Sequence, residues 1–341
     1  MRRLNKNTVI IVAFALFAVA LFISNLFIGS VDIPFADVLS LLTGGECERE
    51  SWRLIVLEMR LPQAVTALLA GAAISVAGLL LQTLFNNPLA GPEVLGINSG
   101  AGLGVAVVML LAQGMIAVGG TGAGGSIAIL SGAFAGAMLI MAVILFLSSV
   151  LRNKIFLLIA GVAVGYLASS LISILNYFAT AEGVHSYMIW GMGSFSAVSM
   201  EQIPFYAVIV ALLLLVSLLM TKPLNALLLG DAYAMNLGIN VKLIRGVLLS
   251  VTALLTAVVT AFCGPVAFIG LAVPHISRLF LNTANHKYLL PGTLLAGSSV
   301  ALLCNLICQL PGENGLLPLG AITPLVGAPV IIYVILKNRN F

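Results

Sequence analysis

The chain has 341 residues, of which 61% are hydrophobic and only 8% charged, and its mean hydropathy is +1.17. A soluble domain carries about 25% charged residues, so this composition excludes a soluble enzyme and puts the chain in the membrane class. The formal net charge is +4, but the basic residues are scattered rather than clustered, which argues against a nucleic-acid partner.

From the N-terminus, MRRLNKNTVIIVAFALFAVALFISNLFIG holds an apolar run of about 20 residues, longer than the roughly 7–15 of a signal-peptide core, and no small-x-small cleavage site follows. A retained first membrane helix is expected. A span needs about 20 apolar residues, and ten candidate segments follow in order: 9–29, 62–85, 94–111, 127–151, 155–178, 203–220, 246–263, 265–283, 289–310 and 317–336. The expected fold is an all-α membrane protein forming one polytopic unit over 1–341. The polar stretch 44–53 is too short to bury a core of its own. The eighth segment contains Pro265 and Pro274, which predicts a kinked or interrupted helix. The 34 glycines suit closely packed membrane helices. Cys304 and Cys308 lie one turn apart in the ninth segment with no His or Asp beside them, so they read as small buried hydrophobes rather than a metal site.

Positive charge sets the orientation. With the N-terminus inside and ten alternating spans, the inner segments hold Arg2, Arg3, Lys6, Arg152, Lys154, Lys222, Lys242, Arg245, Arg278, Lys287, Lys337 and Arg339, leaving only Arg49, Arg53 and Arg60 outside. The acids sort the other way: only Glu93 and Asp231 face in. Both ends are therefore expected on the cytoplasmic side.

The stretch LLLGDAYAMNLGIN (227–240) then falls in the cytoplasmic loop between segments six and seven. Gly230 breaks the preceding turn. Asp231 can cap a short helix, and its charge suits a helix N-terminus. Ala232, Tyr233, Met235, Asn236 and Leu237 continue it, and Gly238 can close it in the left-handed conformation. Tyr233, Met235 and Leu237 supply a small apolar face. So short a helix is marginal alone, and packing must hold it, either as a connector on the membrane interface or as a docking element.

The segment interiors are nearly free of the ionisable residues that ion-coupled carriers use. Glu58 and Arg60 sit at an interface, and His275 and Arg278 near the inner end of segment eight. No phosphate-binding loop, HExxH or GxSxG is present. Active transport would need energy from a partner gripping the cytoplasmic face, where 227–240 offers the largest structured-looking surface. The competing reading is a channel or ion-coupled carrier acting alone.

Six blocks in order extend the argument: MRLPQAVTALLAGAAISVAGLLLQTLFNNPLAGPEVLGINSGAGLG (59–104), LLIAGVAVG (157–165), WGMGSF (190–195), LNALLLGDAYAMNLGINV (224–241), GPVAFIGLAVPHISRLF (264–280) and LPLGAITPLVGAPVIIYVILK (317–337). On these the chain resembles the FecCD (BtuC-like) permeases, membrane subunits of type II ABC importers for iron-siderophore complexes, haem and cobalamin. The resemblance implies a non-catalytic, ten-helix permease of the bacterial inner membrane, working as a homodimer with its path along the dimer axis. It also implies two ATPase subunits below, holding ATP and Mg, and a periplasmic or lipid-anchored binding protein above. No cofactor is expected on this chain.

Carried over, Leu229 through Gly238 match cytoplasmic coupling helices seated in a cleft of each ATPase. Asn87 and Leu89 fall in the inner gate region, with Asn153, Lys154 and Ile155 as a second gate element. The side chains at 153–155 depart from the small hydroxyl residues of some relatives. Family members often place arginines at the start of span two and the end of span nine, to pair with glutamates of the binding protein. This chain keeps Arg60 but carries Gln63 and Gln309 at the other two positions, so docking is expected to weaken or to draw on Arg53. Ser169, Ser173, Asn176 and Tyr177 share one helical stripe, and are candidates either for the path lining or for hydrogen bonds across packed helices. His275 is expected to be a structural residue capping a broken helix rather than a ligand, and Arg278 to face headgroups or the ATPase. An iron chelate is the first choice of substrate and cobalamin the second.

Overall fold

The computed structural model describes residues 6–45, 47, 49–111, 123–151, 153–310 and 315–337. Arg2, Arg3, Arg152, Arg339, Glu46, Glu48 and Glu313 of the charge argument lie outside them. Among the described residues every expected segment coincides with a helix: α1 (Lys6–Phe27), α4 (Leu61–Phe85), α5 (Ile97–Leu111), α6 (Ala123–Val150), α7 (Lys154–Phe178), α9 (Ile203–Leu219), α12 (Val241–Cys263), α13 (Ile269–Leu281), α14 (His286–Gln309) and α15 (Leu319–Lys337). Shorter helices fill the connections: α2 (Phe35–Leu42), α3 (Glu50–Arg53), α8 (Ala181–Gly191), α10 (Thr221–Leu227) and α11 (Asp231–Asn236). By length and composition six of the described helices can cross a membrane alone, seven if α9 and α10, bent by 52° at their junction, count as one span, and α5, α13 and α15 are shorter apolar helices.

Small residues decide which helices form the centre. Of the apolar window of α4, 83% is buried, against 22% for α7 and 22% for α1. The α4 surface is built for close approach: a β-carbon at Gly78 would lie 1.8 Å from the carbonyl oxygen of Gly270 in α13. Membrane helices gain no hydrophobic drive from one another, so close packing and polar contacts must hold them. Ser75 Oγ donates to Thr293 O at 3.1 Å and Ser298 Oγ to Leu68 O at 2.9 Å, joining α4 to α14 in both directions.

Two boundaries differ from the sequence expectation. The second helix begins well before residue 62: it runs continuously from Glu50 to Phe85, through a π-helical stretch, Leu54–Arg60, just ahead of Pro62. A proline removes one N–H from the ladder, and a shift in hydrogen-bond register lets the helix pass it. In the eighth segment the break falls at Pro265, with α13 starting after a left-handed Phe268 (φ 66°), while Pro274 lies inside the helix.

Candidate functional site

The most distinctive surface follows α9. The chain bends into α10, turns at Gly230 (φ 100°, ψ 155°) and makes the six-residue α11. Gly238 is left-handed, at φ 79°. Its N–H donates to Met235 O at 2.9 Å, and the Ile239 N–H to Ala234 O at 3.1 Å. This is the paired bonding of a Schellman cap, so the glycine ends the helix as its sequence indicates. Asp231 differs from expectation. The cap position belongs to Gly230, and Asp231 is the first helical residue with no capping bond. Its carboxylate instead takes Lys154 Nζ at 2.8 Å and Arg245 Nη2 at 3.4 Å, while still facing the positive end of the helix. Ala234 is buried inward, and Leu229, Ala232, Tyr233, Met235, Asn236 and Leu237 are exposed. The result is an ion-anchored elbow with an apolar outer face, beside a cleft of ≈790 Å³ bordered by Ser148, Ser149, Lys242 and Arg245.

Two loops end helices at the same side. After α4, a left-handed Asn86 (φ 48°) stops the helix, and Asn87 Oδ1 accepts the Leu89 N–H at 2.9 Å. This local turn leaves Leu89 half exposed. The loop is held by His275, whose Nε2 donates to Pro88 O at 2.8 Å. His275 therefore secures a neighbouring loop rather than the end of its own helix. Arg278 also turns inward, donating to Gln82 Oε1 at 2.5 Å, because a guanidinium this far into the bundle needs an acceptor. At the second loop Asn153 caps α7 by accepting the Ile155 N–H at 2.9 Å, Lys154 is bound to Asp231, and Ile155 is exposed. Both asparagines are thus spent on backbone, and each presents an apolar residue.

On α7, Ser169 Oγ donates to Gly165 O and Ser173 Oγ to Ser169 O, both at 3.0 Å. These hydroxyls bond within their own helix, not across helices. Asn176 Oδ1 is buried with no partner among the described residues, and Tyr177 is 84% exposed, edge-on to Phe178. Ser169, Ser173 and Tyr177 face the open side of a helix that is itself mostly uncovered, and Asn176 lies at the edge of that side.

At the opposite end the structure corrects the placement of Arg60. Its side chain is buried, with Nη1 donating to Leu26 O (3.1 Å) and Phe27 O (2.9 Å) and Nη2 to Val31 O. A buried cation must find acceptors, and the carbonyls at the end of α1 supply them, so Arg60 ties α1 to α4 and presents no charge outward. Gln63 and Gln309 are likewise engaged. Asn25, Asn305, Gln63 and Gln309 form a chain of side-chain amides: Asn305 to Asn25 at 2.7 Å, Gln63 to Asn305 at 2.9 Å and Gln309 to Gln63 at 3.3 Å. Arg53 alone of the four is exposed, on a cleft of ≈500 Å³ with Glu50 and Cys47. Cys304 and Cys308 are buried free thiols.

Sequence reasoning missed His286 and Thr83, both buried, and the half-buried Asn225, which meet in one cluster. Their only signal was a polar residue at the end of an apolar run.

The family model of the FecCD transport family matches residues 16–337. Over 317 residues the chain is 36% identical to the vitamin B12 import system permease protein BtuC of Escherichia coli O9:H4 (strain HS) and to the protein of that name from Shigella boydii serotype 18 (strain CDC 3083-94 / BS512), covering 91% of this chain and 94% of each relative. A solved metal-chelate type ABC transporter in an inward-facing conformation is similar with a TM-score of 0.83 at 26% identity, covering 96% of this chain and 99% of that one. PsaBC from Streptococcus pneumoniae in complex with Fab shares the fold more distantly, with a TM-score of 0.52 at 15% identity over 87% of this chain and 94% of that one.

Proposed function

Because the chain belongs to the FecCD transport family, we propose that it is the permease subunit of an ABC importer in the bacterial cytoplasmic membrane, carrying a metal chelate inward by alternating access. The observation that carries this reading is the α10–α11 elbow. A helix too short to stand alone is clamped by Lys154 and Arg245 and shows Leu229, Tyr233, Met235 and Leu237 outward, as a docking surface for a separate ATPase requires. That ATPase would bind Mg and hydrolyse ATP; this chain does no chemistry.

Two copies of the chain would line the path with α7, whose uncovered face carries Ser169, Ser173 and Tyr177, with Asn176 at its edge. Leu89 and Ile155, on the loops after α4 and before α7, would close it from the cytoplasm as apolar plugs, positioned by Asn87, Asn153 and Lys154. A substrate-binding protein would dock on the opposite face. With Arg60 withdrawn and Gln63 and Gln309 bonded to each other, Arg53 is the one of these four residues left exposed for that contact, so the rest of the contact would be largely polar or apolar. Cobalamin is the second substrate reading, favoured by the 36% identity to permeases named for vitamin B12 import; iron-siderophore remains the first.

Reconstitution tests both levels. Uptake into proteoliposomes should require the ATPase subunit and the binding protein, and uptake without the ATPase would refute the reading in favour of a lone channel or carrier. Competition between labelled ferric siderophore and labelled cobalamin then identifies the substrate.

A further inference from the structure

The elbow reaches the inner end of α4 through one histidine. His286, the first residue of α14, is fully buried. Asn225 of α10 places Oδ1 2.8 Å from the His286 backbone nitrogen and 3.0 Å from its ring Nδ1. A backbone N–H can only donate, so Asn225 presents its oxygen there, and the ring must also donate from Nδ1. In the neutral imidazole Nε2 is then an acceptor, 2.9 Å from Thr83 Oγ1. The Thr83 hydroxyl has the Leu79 carbonyl as its alternative acceptor, also at 2.9 Å. Asn225 Nδ2 is in turn held by Asn285 Oδ1 at 3.0 Å.

Thr83 stands four residues before Asn87, on the helix that ends in the 86–90 loop. On its other side the elbow is joined by Asp231 to Lys154, the residue before Ile155. The elbow therefore has one polar tie to each helix that carries a loop. The two ties differ in kind. The Asp231–Lys154 pair is partly exposed and can stretch or re-form in water. The histidine tie is buried at its His286–Thr83 half and part-buried at Asn225, and parting it would leave the ring and the hydroxyl unsatisfied in an apolar surrounding. Apolar contacts can slide; a hydrogen-bond chain with one permitted tautomer holds its register.

We infer that His286 is a positioning residue: the chain Asn225–His286–Thr83 makes α10, the start of α14 and the inner end of α4 move as one body, so displacement of the elbow reaches the 86–90 loop. The inference rests on the proposal that the elbow docks an ATPase.

The test uses the full complex with ATPase and binding protein in proteoliposomes and reads substrate moved per ATP hydrolysed. Thr83→Val keeps the shape and removes the hydroxyl; it should lower this ratio on the order of tenfold, and Thr83→Ser should restore it. Asn225→Ala cuts the chain from the other end and reads the same quantity, so poor assembly of one variant leaves the test standing. The double variant should lose no more than the worse single one, because both break one chain. An unchanged ratio in Thr83→Val or Asn225→Ala, failure of Thr83→Ser to restore it, or losses that multiply would overturn the relay while wild-type uptake still required ATP. Wild-type uptake independent of the ATPase would overturn the docking proposal and the relay together.

Discussion

Gly238→Val separates the backbone of the elbow from its side chains. The residue sits at φ 79°, and apart from its own chain neighbours no atom lies within 4 Å of the point its β-carbon would occupy. Any cost is therefore conformational. A side-chain-bearing residue held left-handed costs roughly 1–2 kcal/mol, and a β-branched one stands at the upper end. The strain falls on the two bonds that close α11, from Gly238 N–H to Met235 O and from Ile239 N–H to Ala234 O. A six-residue helix has little stability of its own to absorb it. A change of about 1–2 kcal/mol shifts a two-state balance about 5–30-fold, which bounds the loss of the docked geometry. The assay is binding-protein-stimulated ATP hydrolysis alongside uptake in nanodiscs or proteoliposomes. Uptake per ATP should fall by up to that factor while membrane insertion is retained. Asn tolerates the left-handed region, so Gly238→Asn should keep most of the coupling. If Val couples as well as wild type, or Asn fails as badly as Val, the left-handed cap is not what organises the elbow.

Three further substitutions probe other elements. Arg60→Leu leaves the carbonyls of Leu26, Phe27 and Val31 without their donor, at about 1–3 kcal/mol for a buried unsatisfied group; thermal unfolding in detergent should drop by several degrees while affinity for the binding protein stays as it was, and the reverse pattern would restore a docking role. Asp231→Asn should reduce coupled uptake several-fold at low salt, with the gap to wild type narrowing as salt is raised, because the pairs are partly exposed and screened. Gly78→Val, forced against a carbonyl oxygen of Gly270 1.8 Å from its β-carbon, should abolish monodisperse protein in size-exclusion chromatography, whereas Gly246→Ala, with open space around it, should express normally.

Hydropathy reveals the helices here because a span must satisfy its own backbone and stay apolar along its length. Turn chemistry is equally local: Gly238 closes α11 and Asn87 and Asn153 start their turns through atoms only a few residues away. What escapes is direction. The charge of Arg60 marks the end of a span, but whether its guanidinium turns to water or to the α1 carbonyls depends on how another helix ends beside it. The same holds for Asp231, whose partner Lys154 lies 77 residues away, and for Thr83 and His286, 203 residues apart. The start of the second segment escaped for a related reason: Glu58 and Arg60 interrupt the apolar run just before residue 62, yet a π-helical stretch carries the helix through them.

The amide chain from Asn25 to Gln309 has a further consequence. It lies at the end of α4 and α14 remote from the elbow, and none of its four members ionises. A unit charge crossing the bilayer would be worth about 2.3 kcal/mol per 100 mV; a neutral amide chain offers the membrane potential no net charge to move, and ordinary pH nothing to titrate. The amide part of the seam between α1, α4 and α14 is thus indifferent to the energised state of the membrane. Whatever the potential, those four amides stay fastened, and the buried charge beside them, Arg60, is held by carbonyls at the end of α1.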